Sequence, residues 1–527
     1  MELSFIGRSD VITKNGKVAT SQPLATQAGV RIVQEGGNAV DAVVAAAAVL
    51  DVVEPFSTGC GGDAFALLHQ PDARSPLSFN GSGRAGSLVT LDDLLEKGWT
   101  QVPSSGGPPV TVPGAMHLWF HMVEKHGTLE MGDVLRDAIH YAESGFPVSP
   151  IVAASWSDVV AKLQNRAAKQ TFSVRGKGPK IGESMKNPDL ADVFKRVAEE
   201  GVEEFYSGDI AKRIVRTVRQ NDGFLTMQDM KDHVTTETEP ISTSYRGTRV
   251  YEHPPNGQGF AALQMLNIME EFDLKSHDSL GAERYHLMVE AKKLAYADLH
   301  QHNADPDFYK IPLDTLISKE YAKKRSSLVN PEEAAMSYSS GISIGQDTVY
   351  LATADEDGRA VSFINSLYTR FGSGLVVPGT GIKLQNRGTL FSLDPEHPNC
   401  YEPKKRPFHT IIPGALYKED AFLGVFGIMG GAHQAQAHAQ VVSNLVDYSM
   451  RPQQAIDHPR VHHNQASNTL AIERGIPEMA QYQLLRLGHK VVDVAGGTFG
   501  GGQAILRLDD VWIAGSDHRK DGMAAGY

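Results

Sequence analysis

The chain of 527 residues is 41% hydrophobic and 21% charged, the balance of a protein that buries a sizeable core. Its formal net charge of −12 speaks against nucleic acid or an anionic membrane surface as main partner, since both call for basic patches. Cys60 and Cys400 are the only cysteines, too few for a disulfide framework, and they point to a reducing compartment.

The opening stretch MELSFIGRSDVITKNGK has no cationic region leading into an apolar run, so no secretory signal is expected. PLATQAGVRIVQEGGNAVDAVVAAAAVLDVVEP reads as two helices broken at Gly36-Gly37, the second alanine-rich and packed on all sides. Its apolar centre, residues 42–50, is bounded by Asp41 and Asp51 and is too short to span a bilayer. The expectation is a soluble, cytoplasmic protein. VPSSGGPPVTVPG, around residue 108, reads as a loop. Helical patterns dominate residues 151–301, with RYHLMVEAKKLAYADLHQH the clearest. From Thr348 the texture changes to strand-like runs: TVYLATAD, AVSFINSLY, FGSGLVV, PGALYK, AFLGVFGIMGG and AILRL. One strong helix, QAQAHAQVVSNLVDY, lies among them. Helices followed by strands predict an α+β fold with helices layered over antiparallel sheets.

Several motifs carry chemistry only in the right surroundings. Ser343 in GISIG has the spacing of a nucleophile elbow, but that turn needs a helix after the serine and a strand pattern follows here. GGTFGGGQ, residues 496–503, also leads into a strand rather than a helix, so a hairpin turn fits better than a phosphate loop. His462 and His463 are adjacent and face opposite ways in a strand. His433 and His438 are five apart where helical ligands want four, so no metal site is expected. GIMGG ends an apolar strand just before a helix, and its paired glycines leave backbone N–H groups open to a developing negative charge.

Thr348 sits where SYSSGISIGQD, a run without hydrophobic pattern, meets an alternating strand. If the chain is cut between Asp347 and Thr348, the new α-amino group is a base within the same residue. Such an amine titrates near neutrality, at about 7.7–8.0, and the β-methyl group limits rotation of the hydroxyl. The competing reading is a threonine that merely opens a strand.

DTVYLATADEDGRAVSFINSLYTRFGSG resembles the processing-site signature of the γ-glutamyltransferase family: a threonine, a strand, a D-x-x-G turn, and a second strand ending near F-G-[ST]-G. GGNAVDAVVAAAAVLDVVEPFSTGCGGDAF, PPNGQGFAALQMLN, PGTGIKLQNRG, KKRPFHTIIP, IMGGAHQAQAHAQVVSNLVDY and GSDHRKDGMAAGY fall in that family's order along nearly the whole chain. The resemblance implies the αββα four-layer sandwich of the N-terminal nucleophile (Ntn) hydrolases. It implies one precursor that cleaves itself into a large subunit, 1–347, and a small subunit, 348–527, without metal or cofactor. It further implies Thr348 as nucleophile, Ser366 as the hydroxyl that supports its amine, and Gly430 and Gly431 as the oxyanion hole.

The departures lie in the substrate pocket. Where family members carry Asn or Glu, then Gln and Asp, this chain has Tyr368, Arg387 and Leu390, and a Ser-Ser pair is replaced by His409-Thr410. The family's carboxylate-binding arginine falls near Asn80, with Arg84 the nearest substitute, and Val349-Tyr350 stand where a small residue and a histidine follow the nucleophile. Leucine cannot accept a hydrogen bond from an α-ammonium group. The expected substrate is therefore a small amide that carries a carboxylate but no α-ammonium group, and the LQNRG…FSLDPEHPN form resembles the branch of the family that includes oxamate amidohydrolase and the cephalosporin-acylase-like proteins. The alternatives are a true γ-glutamyltransferase or glutathione hydrolase, and a non-catalytic binding homologue. The expected partners are a small-molecule substrate and the two subunits of one precursor, with neither nucleic acid nor membrane; a homodimer of the processed unit stays open.

Overall fold

The computed structural model describes residues 7–336, 348–494 and 498–527. Helix Pro23–Gln34 has proline in its first turn and is capped by the Gln22 side chain, which accepts from the Leu24 N–H at 2.6 Å. After Gly36-Gly37, Asn38 and Asp41 form a reciprocal capping box that starts helix Ala39–Val53. All 15 residues of that helix are buried, as its alanine-rich, all-round apolar sequence requires.

Two seven-stranded antiparallel sheets form the centre. The first runs, in spatial order, Met523–Gly526, Lys17–Thr20, Val349–Ala354, Ala360–Ser366, Asp63–His69, Leu77–Gly81 and Thr236–Thr238. The second runs Val11–Thr13, Val511–Ser516, Gly501–Leu508, Ala421–Met429, Gly414–Lys418, Thr248–Glu252 and Ile241–Tyr245. Period-two alternation sorts the side chains between layers. In Val349–Ala354, Val349 and Leu351 join the helical core that contains Ala39–Val53, whereas Tyr350, Ala352 and Ala354 lie between the sheets. Tyr350 packs over Gly427 of the facing sheet, where a Cβ would stand 2.3 Å from its ring; only glycine permits that approach. On the far side, helices Gly259–Glu270, Ala282–His302 and His433–Val446 cover the second sheet. The layers are helix, sheet, sheet, helix, as expected.

Two local expectations need correction. FGSGLVV is a loop with one isolated bridge, Val376 to Lys383, because Gly372 and Gly374 take positive φ of 53° and 76° and break an extended run. The strand-rich part also holds more than one helix, since Pro452–Asp457 precedes a small sheet of Val461–Asn464, Thr469–Ile472 and Lys490–Val492, and Glu478–Arg486 connects its last two strands. The GISIG motif with Ser343, the glycines at 496 and 497, and Asp347 lie outside the described residues. No described helix is long and apolar enough to cross a membrane.

Candidate active site

Thr348 directly precedes the strand Val349–Ala354 and is 1% exposed. The turn at residues 355–358 closes a hairpin whose register sets Val349 opposite Asn365, which carries Thr348 opposite Ser366. The Thr348 Oγ1 to Ser366 Oγ distance is 3.2 Å, and Gln434 Nε2 donates to Thr348 Oγ1 at 3.4 Å. Ser366 Oγ accepts in turn from the Tyr368 N–H at 2.9 Å and from Arg387 Nη2 at 3.0 Å. Arg387 Nη1 donates to Thr410 Oγ1 at 2.8 Å, and its guanidinium lies over the Tyr368 ring, 4.7 Å from the centroid.

Asp63 is the cross-strand neighbour of Ser366 on the next strand of the same sheet. Its Oδ2 meets His409 Nε2 at 2.8 Å, and its Oδ1 accepts from the Gly83 N–H and Gln385 Nε2, each at 2.9 Å. Burial pushes the Asp63 carboxyl up to about 7, against the pull of the Arg387 cation. Burial likewise draws Arg387 down to about 10, and it drives His409 well below the ordinary histidine value with Arg387 adding to the effect.

Gly430 and Gly431 turn the strand Ala421–Met429 into helix His433–Val446 with φ of 135° and 56°, backbone that a side chain would strain. The turn is closed by His433 N–H to Gly430 O at 3.0 Å and Gln434 N–H to Gly431 O at 3.1 Å. No described residue accepts from the N–H of either glycine. Ile412 N–H holds Gln434 Oε1 at 3.1 Å, which leaves the amide nitrogen facing Thr348. Gln258 Nε2 donates to the carbonyls of Gly431, at 2.8 Å, and Thr410, so one side chain ties the glycine turn to the Arg387 arm.

The expected residues Thr348, Ser366, Tyr368, Arg387, Thr410, His409, Gly430 and Gly431 thus share one hydrogen-bonded region. Leu390 is buried in the same core as Tyr368. Arg84 lies outside this network, with its guanidinium on Asp307 at 2.8 Å. Asp63, Gln385 and Gln434 were not singled out from sequence; only Gln434 had a local signal, three residues past the glycine pair at the start of a helix. Of the histidines weighed for metal, His438 bonds Glu252 at 2.7 Å and His433 lies against the His462 ring at 4.7 Å. A cluster of His286, Glu290 and His489 is close enough to hold an ion, but its ligand atoms are engaged, His286 with His489 at 2.8 Å and Glu290 with Lys293 at 2.7 Å.

A family model described as Gamma-glutamyltranspeptidase matches residues 25–527. The chain belongs to the γ-glutamyltranspeptidase family. The crystal structure of cephalosporin acylase from Bacillus halodurans aligns with a TM-score of 0.94 at 41% identity, over 100% of this chain and 98% of that one. The glutathione hydrolase-like YwrD proenzyme of Bacillus subtilis is 38% identical over 98% of this chain and 99% of its own length. The oxamate amidohydrolase proenzyme of Klebsiella pneumoniae is 32% identical over 98% and 100%. The fold is that of the Ntn-type members of this family, and the chain is an enzyme of their hydrolase type. The proenzyme names of two relatives agree with a precursor that yields two subunits.

Proposed function

We propose that the chain cuts itself between Asp347 and Thr348 and then, as subunits 1–347 and 348–527, hydrolyses the amide bond of a small carboxylate-bearing molecule. The observation that carries this is the buried Thr348 hydroxyl, held at the head of a strand between Ser366 Oγ and Gln434 Nε2. In maturation Thr348 Oγ1 attacks the Asp347 carbonyl carbon and the C–N bond breaks, which leaves an ester and a free Thr348 amine. Water then hydrolyses the ester. In turnover the amine takes the Oγ1 proton while Oγ1 bonds the acyl carbon, and the Gly430 and Gly431 N–H groups receive the oxyanion. The amide C–N bond breaks, the leaving nitrogen takes the proton back from the amine, and water attacks the acyl-enzyme with the amine again as base. These steps use neither metal nor cofactor.

Arg387 carries N–H groups beyond the two engaged with Ser366 and Thr410, and a planar, fully buried guanidinium suits a carboxylate. Tyr368, His409 and Thr410 complete that end of the pocket. Leu390 offers no acceptor to an α-ammonium group, which counts against γ-glutamyl substrates. Two free cysteines, Cys60 and Cys400, suit a reducing cytoplasm. The test is a side-by-side assay of the processed enzyme on glutathione, a γ-glutamyl anilide, oxamate and an acyl-side-chain β-lactam. The expected kcat/KM on oxamate or the β-lactam exceeds that on glutathione by about tenfold or more, the worth of one buried polar contact. If glutathione wins by a wide margin, the carboxylate-amide reading falls and a glutathione hydrolase, the second reading favoured by the YwrD relative's name, stands. A non-catalytic homologue would turn over none of the four.

A further inference from the structure

Arg387 is placed to act on the nucleophile as well as on a substrate. Ser366 Oγ accepts from both the Tyr368 N–H, at 2.9 Å, and Arg387 Nη2, at 3.0 Å, so its two lone pairs are occupied. In its 3.2 Å contact with Thr348 Oγ1, Ser366 can therefore act as the donor. Gln434 supplies a second donor to the same oxygen at 3.4 Å. Two groups able to donate, Gln434 and Ser366, thus face the nucleophile's oxygen, and Ser366 leads directly to a buried cation.

The charged and titratable groups that act on that guanidinium are Asp63, Tyr368 and His409, and His253 and Arg406 act on His409 in turn. Asp63 is the opposing charge, but its oxygens are directed to His409, Gln385 and the Gly83 N–H. Burial keeps His253 and His409 neutral near pH 7, and Arg406 is turned toward Ser82 and Thr236. Asp63 and Arg387 attract each other through space, but the guanidinium's own hydrogen bonds go to Ser366 and Thr410, which links the cation to Thr348 through Ser366.

We infer that Arg387 is a positioning residue of the catalytic machinery: through Ser366 it orients the Thr348 hydroxyl and stabilises the negative charge that grows on Oγ1 as its proton passes to the Thr348 amine. This rests on the reading of Thr348 as an N-terminal nucleophile. A nearby cation also opposes protonation of that amine, so more of it is free base at a given pH.

The test uses processed wild-type enzyme and the Arg387→Gln and Arg387→Lys variants with phenylmethanesulfonyl fluoride, a neutral probe without a carboxylate. Thr348 Oγ1 bonds sulfur, fluoride leaves, and the hydroxyl proton passes to the amine; the mass of the small subunit reports the rate. In Arg387→Gln the acid limb of the labelling rate moves up by about one pH unit and the plateau falls about tenfold, the scale of one nearby charge. In Arg387→Lys the limb stays and only the plateau falls, because the charge is kept and the fork is lost. Precursor cleavage, which uses the same hydroxyl and no substrate, slows in the same order.

Labelling and cleavage of Arg387→Gln at wild-type rates with an unmoved limb overturn the inference. So does an equal fall of plateau in both variants with neither limb moved, which assigns Arg387 to packing. If Arg387→Gln does not fold, Arg387→Lys decides, and a wild-type plateau there counts against the inference. Loss of carboxylate binding alone changes neither readout, whereas failure to label Thr348 in wild-type enzyme refutes the nucleophile reading instead.

Discussion

Asp63 holds its proton further up the pH scale than an ordinary carboxylate, to about 7, because burial outweighs the attraction of Arg387. A carboxyl whose folded value lies above its unfolded value, near 4, binds its proton more tightly in the fold. Its contribution to stability is full at low pH and is lost as the pH rises from about 4 to about 7. Asp63→Asn removes that titration, with His409 changing tautomer so that Nε2 accepts from the new amide. Urea midpoints measured across this range should fall more steeply for wild-type protein than for Asp63→Asn, and parallel curves would show that Asp63 ionises as if exposed. The sequence held no trace of this residue's part. Its partners Gly83, Gln385 and His409 stand 20, 322 and 346 residues away, so only the folded chain brings them together. Thr348, Gly430 and Gly431 could be singled out as candidates because their signals are local, a strand that begins at a threonine and a glycine pair between strand and helix.

At the scale of elements, the hairpin Val349–Ala354 with Ala360–Ser366 was readable from alternation and its D-x-x-G turn, since each residue's face follows from parity. FGSGLVV was misread because Leu375, Val376 and Val377 are buried as a strand's would be, yet they are covered by helices and loops with hardly any ladder pairing. The same loop reaches Lys383, whose buried Nζ donates to the Asp51 carbonyl at 2.6 Å and pairs with the Asp51 carboxylate at the end of helix Ala39–Val53. Asp51 Oδ2 also accepts from the Cys60 N–H at 2.7 Å. No sequence pattern joins residues 51 and 383. Lys383→Met leaves a buried carboxylate without its cation and should destabilise the protein by about 3–5 kcal/mol in chemical denaturation. A loss below about 1 kcal/mol is what a solvent-exposed pair would give, and would contradict this packing.

For the whole molecule, the decisive feature is that each central sheet takes strands from both sides of residue 348. In the first sheet Val349–Ala354 pairs with Lys17–Thr20, and Ala360–Ser366 pairs with Asp63–His69; in the second Gly414–Lys418 pairs with Thr248–Glu252. A cut before Thr348 therefore leaves both ladders intact, and the two chains should co-elute in native gel filtration and part only on denaturation. Elution as two separate chains would contradict the interleaved sheets. The central claim is that Thr348 becomes a chain terminus, and mass spectrometry with N-terminal sequencing of the denatured, active protein tests it most directly. The account predicts two chains, the smaller beginning at Thr348, and a single full-length chain for Thr348→Ala. An active wild-type enzyme that remains one uncut chain, or a small chain that begins at any other residue, would contradict it.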